Sequence, residues 1–149
     1  MPESENPRHR LLGMDVGARR IGLAVSDPLG ITAQGIETLE RRNKRTDFAI
    51  LERVIRRYEV GEIVVGYPLR MSGSTGNQSE KMAAFAEELR RKFALPVHLW
   101  DERLTTAEAH RILDQTGMST RRRGEVVDQM AAVLILQSFL EARTHNRDQ

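Results

Sequence analysis

The order of hydrophobic periods along the chain predicts an α/β sandwich, with a mixed five-stranded sheet and helices on both faces. Three observations carry this. Two-residue alternation recurs in three consecutive segments near the start, apolar residues at helical spacing follow from Thr46, and short β-branched segments then alternate with helical ones. Three strands in succession make an antiparallel meander; the strand–helix–strand order after them makes parallel pairs with helical crossovers.

Residues 11–16 and 21–26 read as strands joined by "GARR", where Gly17 supplies the turn's freedom, and "GITAQGIETL" continues as a third strand. Phe48, Leu51, Val54, Ile55 and Tyr58 share one helical face, and Gly61 is expected to end that helix. "EIVVGYP" is a fourth strand stopped by Gly66 and Pro68, followed by the glycine- and hydroxyl-rich loop "LRMSGSTGNQ". Met82, Phe85, Ala86, Leu89 and Phe93 mark a second helix, before a strand at "PVHLW" and a polar turn "DERLTT". Thr105 and Glu108 have capping-box spacing, which predicts a helix from about Thr106 to Gly117. After a basic loop, "MSTRRRGE", residues 125–142 form a last apolar-faced helix. Residues 11–143 are thus expected to fold as one domain between flexible tails at 1–10 and 144–149.

Composition removes several chemistries. With no cysteine among 149 residues there are no disulfides, thiolate metal sites or cysteine nucleophiles, so any metal must be bound by oxygen or imidazole. "MPESENPRHR" has no apolar signal-like region and no window nears 18 consecutive apolar residues, so the expectation is a cytoplasmic protein with no membrane partner. The formal net charge of +2 hides clustering of basic residues at Arg19 and Arg20, Arg41 to Arg45, Arg90 to Lys92, and Arg121 to Arg123. Such clusters suit either a phosphate-binding footprint or a solvated surface.

Three carboxylates stand in apolar surroundings. Alternation puts Leu11, Gly13 and Asp15 on one face of the first strand, so Asp15 lies at its end among residues expected to be buried. A carboxylate there needs a cation, a metal or several N–H donors, and capping of the Gly17 and Ala18 amides would also satisfy it. Asp101 and Glu102 end the fifth strand, where ligands collect in open α/β sheets; alternation allows only one of them to share the side of Asp15. Asp128 shares a helical face with Ala131, Ala132 and Ile135, although as a first-turn acid it could equally complement the helix dipole. Carboxylates with water form the hard-oxygen ligand set of Mg²⁺ or Mn²⁺, and a pair of such ions hydrolyses phosphodiesters.

From "LLGMDVGARRIGLAVSD" through "VVGYPLRMSGSTGNQS" and "LWDERLTTAEA" to "VDQMAAVLILQSFL", the chain resembles the YqgF-type, or RuvX-like, Holliday junction resolvases, also described as pre-16S rRNA nucleases. The resemblance implies a ribonuclease H-like fold and a metal-dependent endonuclease with Mg²⁺ or Mn²⁺ as cofactor. Its acidic site falls on Asp15, Glu102 and Asp128, choosing Glu102 over Asp101, with Asp15 shared between two ions. Arg20, Arg70, Arg103 and the run Arg121, Arg122 and Arg123 are the expected substrate contacts. RNA, branched DNA or both are the expected partners, and symmetric cutting of a four-way junction would need a homodimer. Two other readings remain at this point: a non-catalytic nucleic-acid-binding factor in ribosome or transcription processes, and an actin- or Hsp70-like nucleotide-binding protein, whose phosphate hairpin "DVGARRIGLAVSD" resembles.

Overall fold

A computed structural model describes residues 9–67, 75–101 and 120–147, with residues 67, 75–79, 101, 120–128 and 145–147 described as backbone only. Period-two segments become β1 (Arg10–Val16), β2 (Arg20–Ser26), β3 (Ala33–Glu40), β4 (Val60–Tyr67) and β5 (Val97–Asp101). They form one sheet in the order β3-β2-β1-β4-β5. β1–β2 and β2–β3 are antiparallel, whereas β1–β4 and β4–β5 are parallel. The meander and the parallel half therefore meet at β1, the central strand.

Alternation sorts the two cores. Leu12 and Met14 of β1 join Ile63 and Val65 of β4 beneath Phe48 and Leu51 of α1 (Lys44–Tyr58) and Ala86 and Leu89 of α2 (Thr75–Phe93). Leu11, Ala24 and Val64 face the other way and pack on Ala132, Ile135, Leu136 and Phe139 of α3 (Thr120–Arg147). Helices thus cover both faces, as the sequence predicts. The predicted helix at 106–117 lies outside the described residues.

Several boundaries differ from the sequence reading, each for a local reason. The third strand starts at Ala33, because the Asp27 carboxylate accepts the N–H groups of Ile31 and Thr32 at 2.7 Å each and of Leu29 at 3.2 Å, closing residues 27–32 into a turn. Helix α1 starts at Lys44, where Asn43 caps it by accepting from the Thr46 N–H at 2.8 Å. It ends before Gly61, at a left-handed Glu59 with φ 54°. Gly61 instead lies in β4, where a Cβ would come within 2.5 Å of the His9 ring. Thr75 to Gln78, read as loop, form the start of α2. The basic run is not a loop either: α3 begins at Thr120 and carries Arg121 to Arg123 on its first turn, since arginine is a strong helix former and one glycine, Gly124, is tolerated in 28 helical residues. Elements also reach into both supposed tails, with Arg10 in β1 and α3 continuing to Arg147.

Candidate active site

Asp15 is the penultimate residue of β1 and is half-buried. Its register partners are Gly22 on β2 and Gly66 on β4, so neither flanking strand presents a side chain beside it. A carboxylate on the middle strand, bordered on both sides by glycine, can be approached closely along its own face.

That face is the one α3 crosses. A Cβ on Gly13 would lie 2.8 Å from Leu136 Cβ and 3.2 Å from the Ala132 carbonyl oxygen, and one on Gly66 would lie 2.2 Å from Ile135 Cδ1. Glycines in β1 and β4 therefore let the helix backbone down onto the sheet. Arg143, near the end of α3, meets Glu62, whose strand partner is Leu11, so α3 runs opposite to β1. From Ala132 back to position 128 the helix rises ~6 Å, and from Gly13 on to Asp15 the strand advances ~6.6 Å. Position 128 thus comes over the end of β1 that carries Asp15. It lies in the third turn of α3, not the first, so complementing the helix dipole does not explain an aspartate there.

On β5, Trp100 is paired with Gly66, which is itself paired with Asp15. Trp100 lies on the α3 face, donating to Ser138 Oγ at 3.1 Å and meeting the Phe139 ring edge-on at 5.2 Å. Asp101 pairs with Tyr67 and ends the strand. Glu102, Arg70 and Arg103 lie outside the described residues, and Asp128, Arg121, Arg122 and Arg123 are described as backbone only. Arg20 opens β2 half-buried, its carbonyl accepting the Gly17 N–H at 2.9 Å across the tight turn after Asp15. Among the described residues no three His, Asp or Glu side chains gather as a metal-ligand group.

The opposite end of the sheet holds a charge cluster that the sequence reading missed. Glu62 accepts from Arg143 Nη2 at 2.7 Å and Nη1 at 3.1 Å, and lies 2.7 Å from His98 Nε2 and 3.3 Å from His9 Nε2. Burial pushes this carboxyl up, but the hydrogen bonds from Arg143, His98 and His9 outweigh it and hold the pKa at about 2. The Arg143 guanidinium also lies 4.8 Å over the Phe139 ring. No short-range motif signals this group, because its members are 9, 62, 98 and 143.

A five-stranded mixed sheet with this strand order, an acid ending its middle strand and a long helix laid across that face is the ribonuclease H-like fold of RuvC-type resolvases. Solved structures that share it include RuvC of T. thermophilus in complex with Holliday junction substrate, with TM-score 0.54 at 13% identity over 92% of this chain and 96% of that one, and the fowlpox virus resolvase with substrate Holliday junction DNA, with TM-score 0.54 at 12% identity over 89% and 97%. Residues 9–142 match the model of the family described as RuvX, Holliday junction resolvase, and the chain belongs to that family. Its relatives include proteins named "Putative pre-16S rRNA nuclease" from Koribacter versatilis, 56% identical over all of this chain and 97% of that protein, and from Moorella thermoacetica, 51% identical over 92% and 98%.

Proposed function

We propose that this protein is a metal-dependent endonuclease that hydrolyses phosphodiester bonds in nucleic acid, with Asp15, Glu102 and Asp128 as the carboxylates that would hold Mg²⁺ or Mn²⁺. The observation that carries the reading is Asp15 itself, half-buried between two glycines on the face that α3 crosses. Two further placements support it. The backbone registration of α3 favours position 128 as a second ligand, the pairing of Trp100 with Gly66 brings the end of β5 beside Asp15, and the family pattern assigns Glu102 rather than Asp101 there. An all-carboxylate donor set fits a hard divalent cation.

When bound, such ions activate a water and offset the charge developing on the leaving oxygen. The chain's own residues then have two tasks. Asp15 sits on the middle strand, where neighbours on both sides fix its backbone, so its carboxylate is held without a loop's freedom. Arg20, Arg70, Arg103 and Arg121 to Arg123 are assigned to the substrate backbone, which positions the strand without reading its sequence. Among the described residues no helix is long and apolar enough to cross a membrane; we place the enzyme in the cytoplasm, acting on RNA, branched DNA or both. A junction substrate would require a homodimer with two symmetric sites.

The test is cleavage of single-stranded RNA, single-stranded DNA and a four-way junction with Mg²⁺ or Mn²⁺, alongside Asp15→Asn. Cutting by the parent chain that is abolished in a folded Asp15→Asn protein is the expected result. An Asp15→Asn protein that cuts at the parent rate removes the assignment.

A further inference from the structure

One residue past Asp15 the chain turns, and on the opposite side of the sheet from α3 this end of the molecule holds a cavity of about 600 Å³. Its floor is apolar, made by Val16, Ile21, Phe48, Leu51, Met82 and Phe85. Its rim is cationic, with Arg41, Arg42, Lys44 and Lys81 against two acids, Asp47 and Glu88.

The acids leave that rim positive. Glu88 is committed to an ion pair with Lys44. Asp47 is buried and its carboxylate accepts the Arg42 backbone N–H at 3.0 Å. Arg41 is built into the wall: its Nη1 donates to the Gly17 carbonyl at 2.6 Å and its guanidinium lies 5.9 Å from the centre of the Phe85 ring. Among the described side chains none pairs with Arg42 or Lys81, both exposed. Two free cations over an apolar hollow match a nucleotide, which carries an anionic phosphate on one side and an apolar, stackable base on the other. The volume exceeds what a phosphate alone would fill.

We propose that this cavity is a nucleotide subsite: Arg42 and Lys81 take a backbone phosphate of the substrate strand near the cut, and the apolar floor takes the attached base, which must be unpaired to enter. The inference rests on the endonuclease reading and deepens it, because it assigns the enzyme a single-stranded segment beside the scissile bond. Fully paired nucleic acid cannot fill the floor.

The experiment is equilibrium binding without added metal, by fluorescence anisotropy, of one labelled single-stranded oligonucleotide and its blunt duplex over a salt series. The parent chain is compared with Arg42→Ala/Lys81→Ala and with Arg53→Ala/Arg57→Ala, two exposed cations of α1 that do not line the cavity. The first double variant keeps the Arg42 N–H to Asp47. We expect it to bind the single strand about tenfold more weakly, with a salt slope smaller by about 0.7, while its duplex binding and the control variant stay near the parent. Unchanged single-strand binding overturns the subsite, as does an equal loss on duplex or an equal loss in the control. A parent chain that binds neither nucleic acid overturns the endonuclease reading and the subsite together, whereas parent binding with an unaffected double variant overturns the subsite alone.

Discussion

Replacing Gly13 by alanine tests whether helix contact with the sheet sets the geometry of the candidate site. The new methyl would sit 2.8 Å from Leu136 Cβ and 3.2 Å from the Ala132 carbonyl oxygen. Both atoms are fixed to the α3 backbone, so no side-chain rotation relieves the contact. Reaching an ordinary separation of at least 3.4 Å moves α3 or β1 by about 0.6 Å. Overpacking of this kind costs about 1–3 kcal/mol, which chemical denaturation reads directly. The displacement falls between positions 15 and 128, and misplacing reacting groups by about 1 Å costs on the order of 10²-fold in rate. Gly13→Ala should therefore stay folded, lose stability within that range, and cleave roughly ten- to a hundredfold more slowly, with nucleic-acid affinity nearly unchanged because the basic residues are untouched. Gly66→Ala provides the contrast. Its clash is with the Ile135 side chain, at 2.2 Å from Cδ1 and 2.8 Å from Cγ1, so Ile135→Ala should restore part of its loss. A Gly13→Ala protein with parent stability and parent turnover would refute the claim that close helix approach builds the site.

Acid should weaken the fold through Glu62. Its folded pKa of about 2 lies below the ordinary 4.5, so its contribution is complete above about pH 5 and is lost as pH falls from 4.5 towards 2; at most it amounts to about 3 kcal/mol, reduced by solvent reaching Arg143. Thermal unfolding from pH 7 to pH 3 should show a steeper acid limb in the parent than in Glu62→Gln, and superimposable limbs would deny the ion cluster a stabilising role. Glu59→Gly should stabilise by about 0.5–1 kcal/mol, because Glu59 holds a left-handed φ of 54° at the end of α1 that glycine adopts without strain. A lower melting temperature for that variant would mean that its side chain matters more than its backbone.

What the sequence made legible follows from what each signal measures. Alternation reports which residues point the same way, so all five strands and the face holding Leu11, Gly13 and Asp15 are legible in the sequence alone. It does not say which face of one strand adjoins which face of another. That is why Asp101 and Glu102 could not be separated by alternation, and why the pairing of Asp15, Gly66 and Trp100 across three strands is informative. Helix starts hide where glycine and hydroxyl residues, as at Thr75 to Gln78, or a run of charge, as at Arg121 to Arg123, look like loop. Arg121 to Arg123 carry no helix-breaking chemistry, and moving the start of α3 to Thr120 changes Asp128 from a dipole-complementing first-turn acid into one with no such excuse. The group around Glu62 was invisible because four distant segments supply it, and the cavity because Lys81 on α2 joins the cluster at 41–45 only in the folded chain.

The two ends of the sheet use charge in opposite ways, and the contrast bears on function. At the end where β1 and β4 begin, Glu62 is enclosed by Arg143, His98 and His9, and Arg143 is further held against Phe139. Every member of that cluster has a partner, so it fastens the far end of α3 to the sheet and offers little to a ligand. At the end where β1 finishes, the pattern reverses: Arg42 and Lys81 have no side-chain partner among the described residues, and the strands flanking Asp15 present glycine. Anchoring α3 at one end allows its approach at the other to be set by contacts as tight as those of Gly13 and Gly66, without the helix sliding to relieve them. Arg143→Ala should therefore reduce stability and, through a looser α3, slow cleavage, while leaving single-strand binding intact. Arg42→Ala/Lys81→Ala should do the reverse, weakening binding at unchanged stability. A single variant pair measured by denaturation and by binding therefore tells fastening charge from binding charge, and an Arg143→Ala protein that lost binding but not stability would show that the two ends had been assigned the wrong way round.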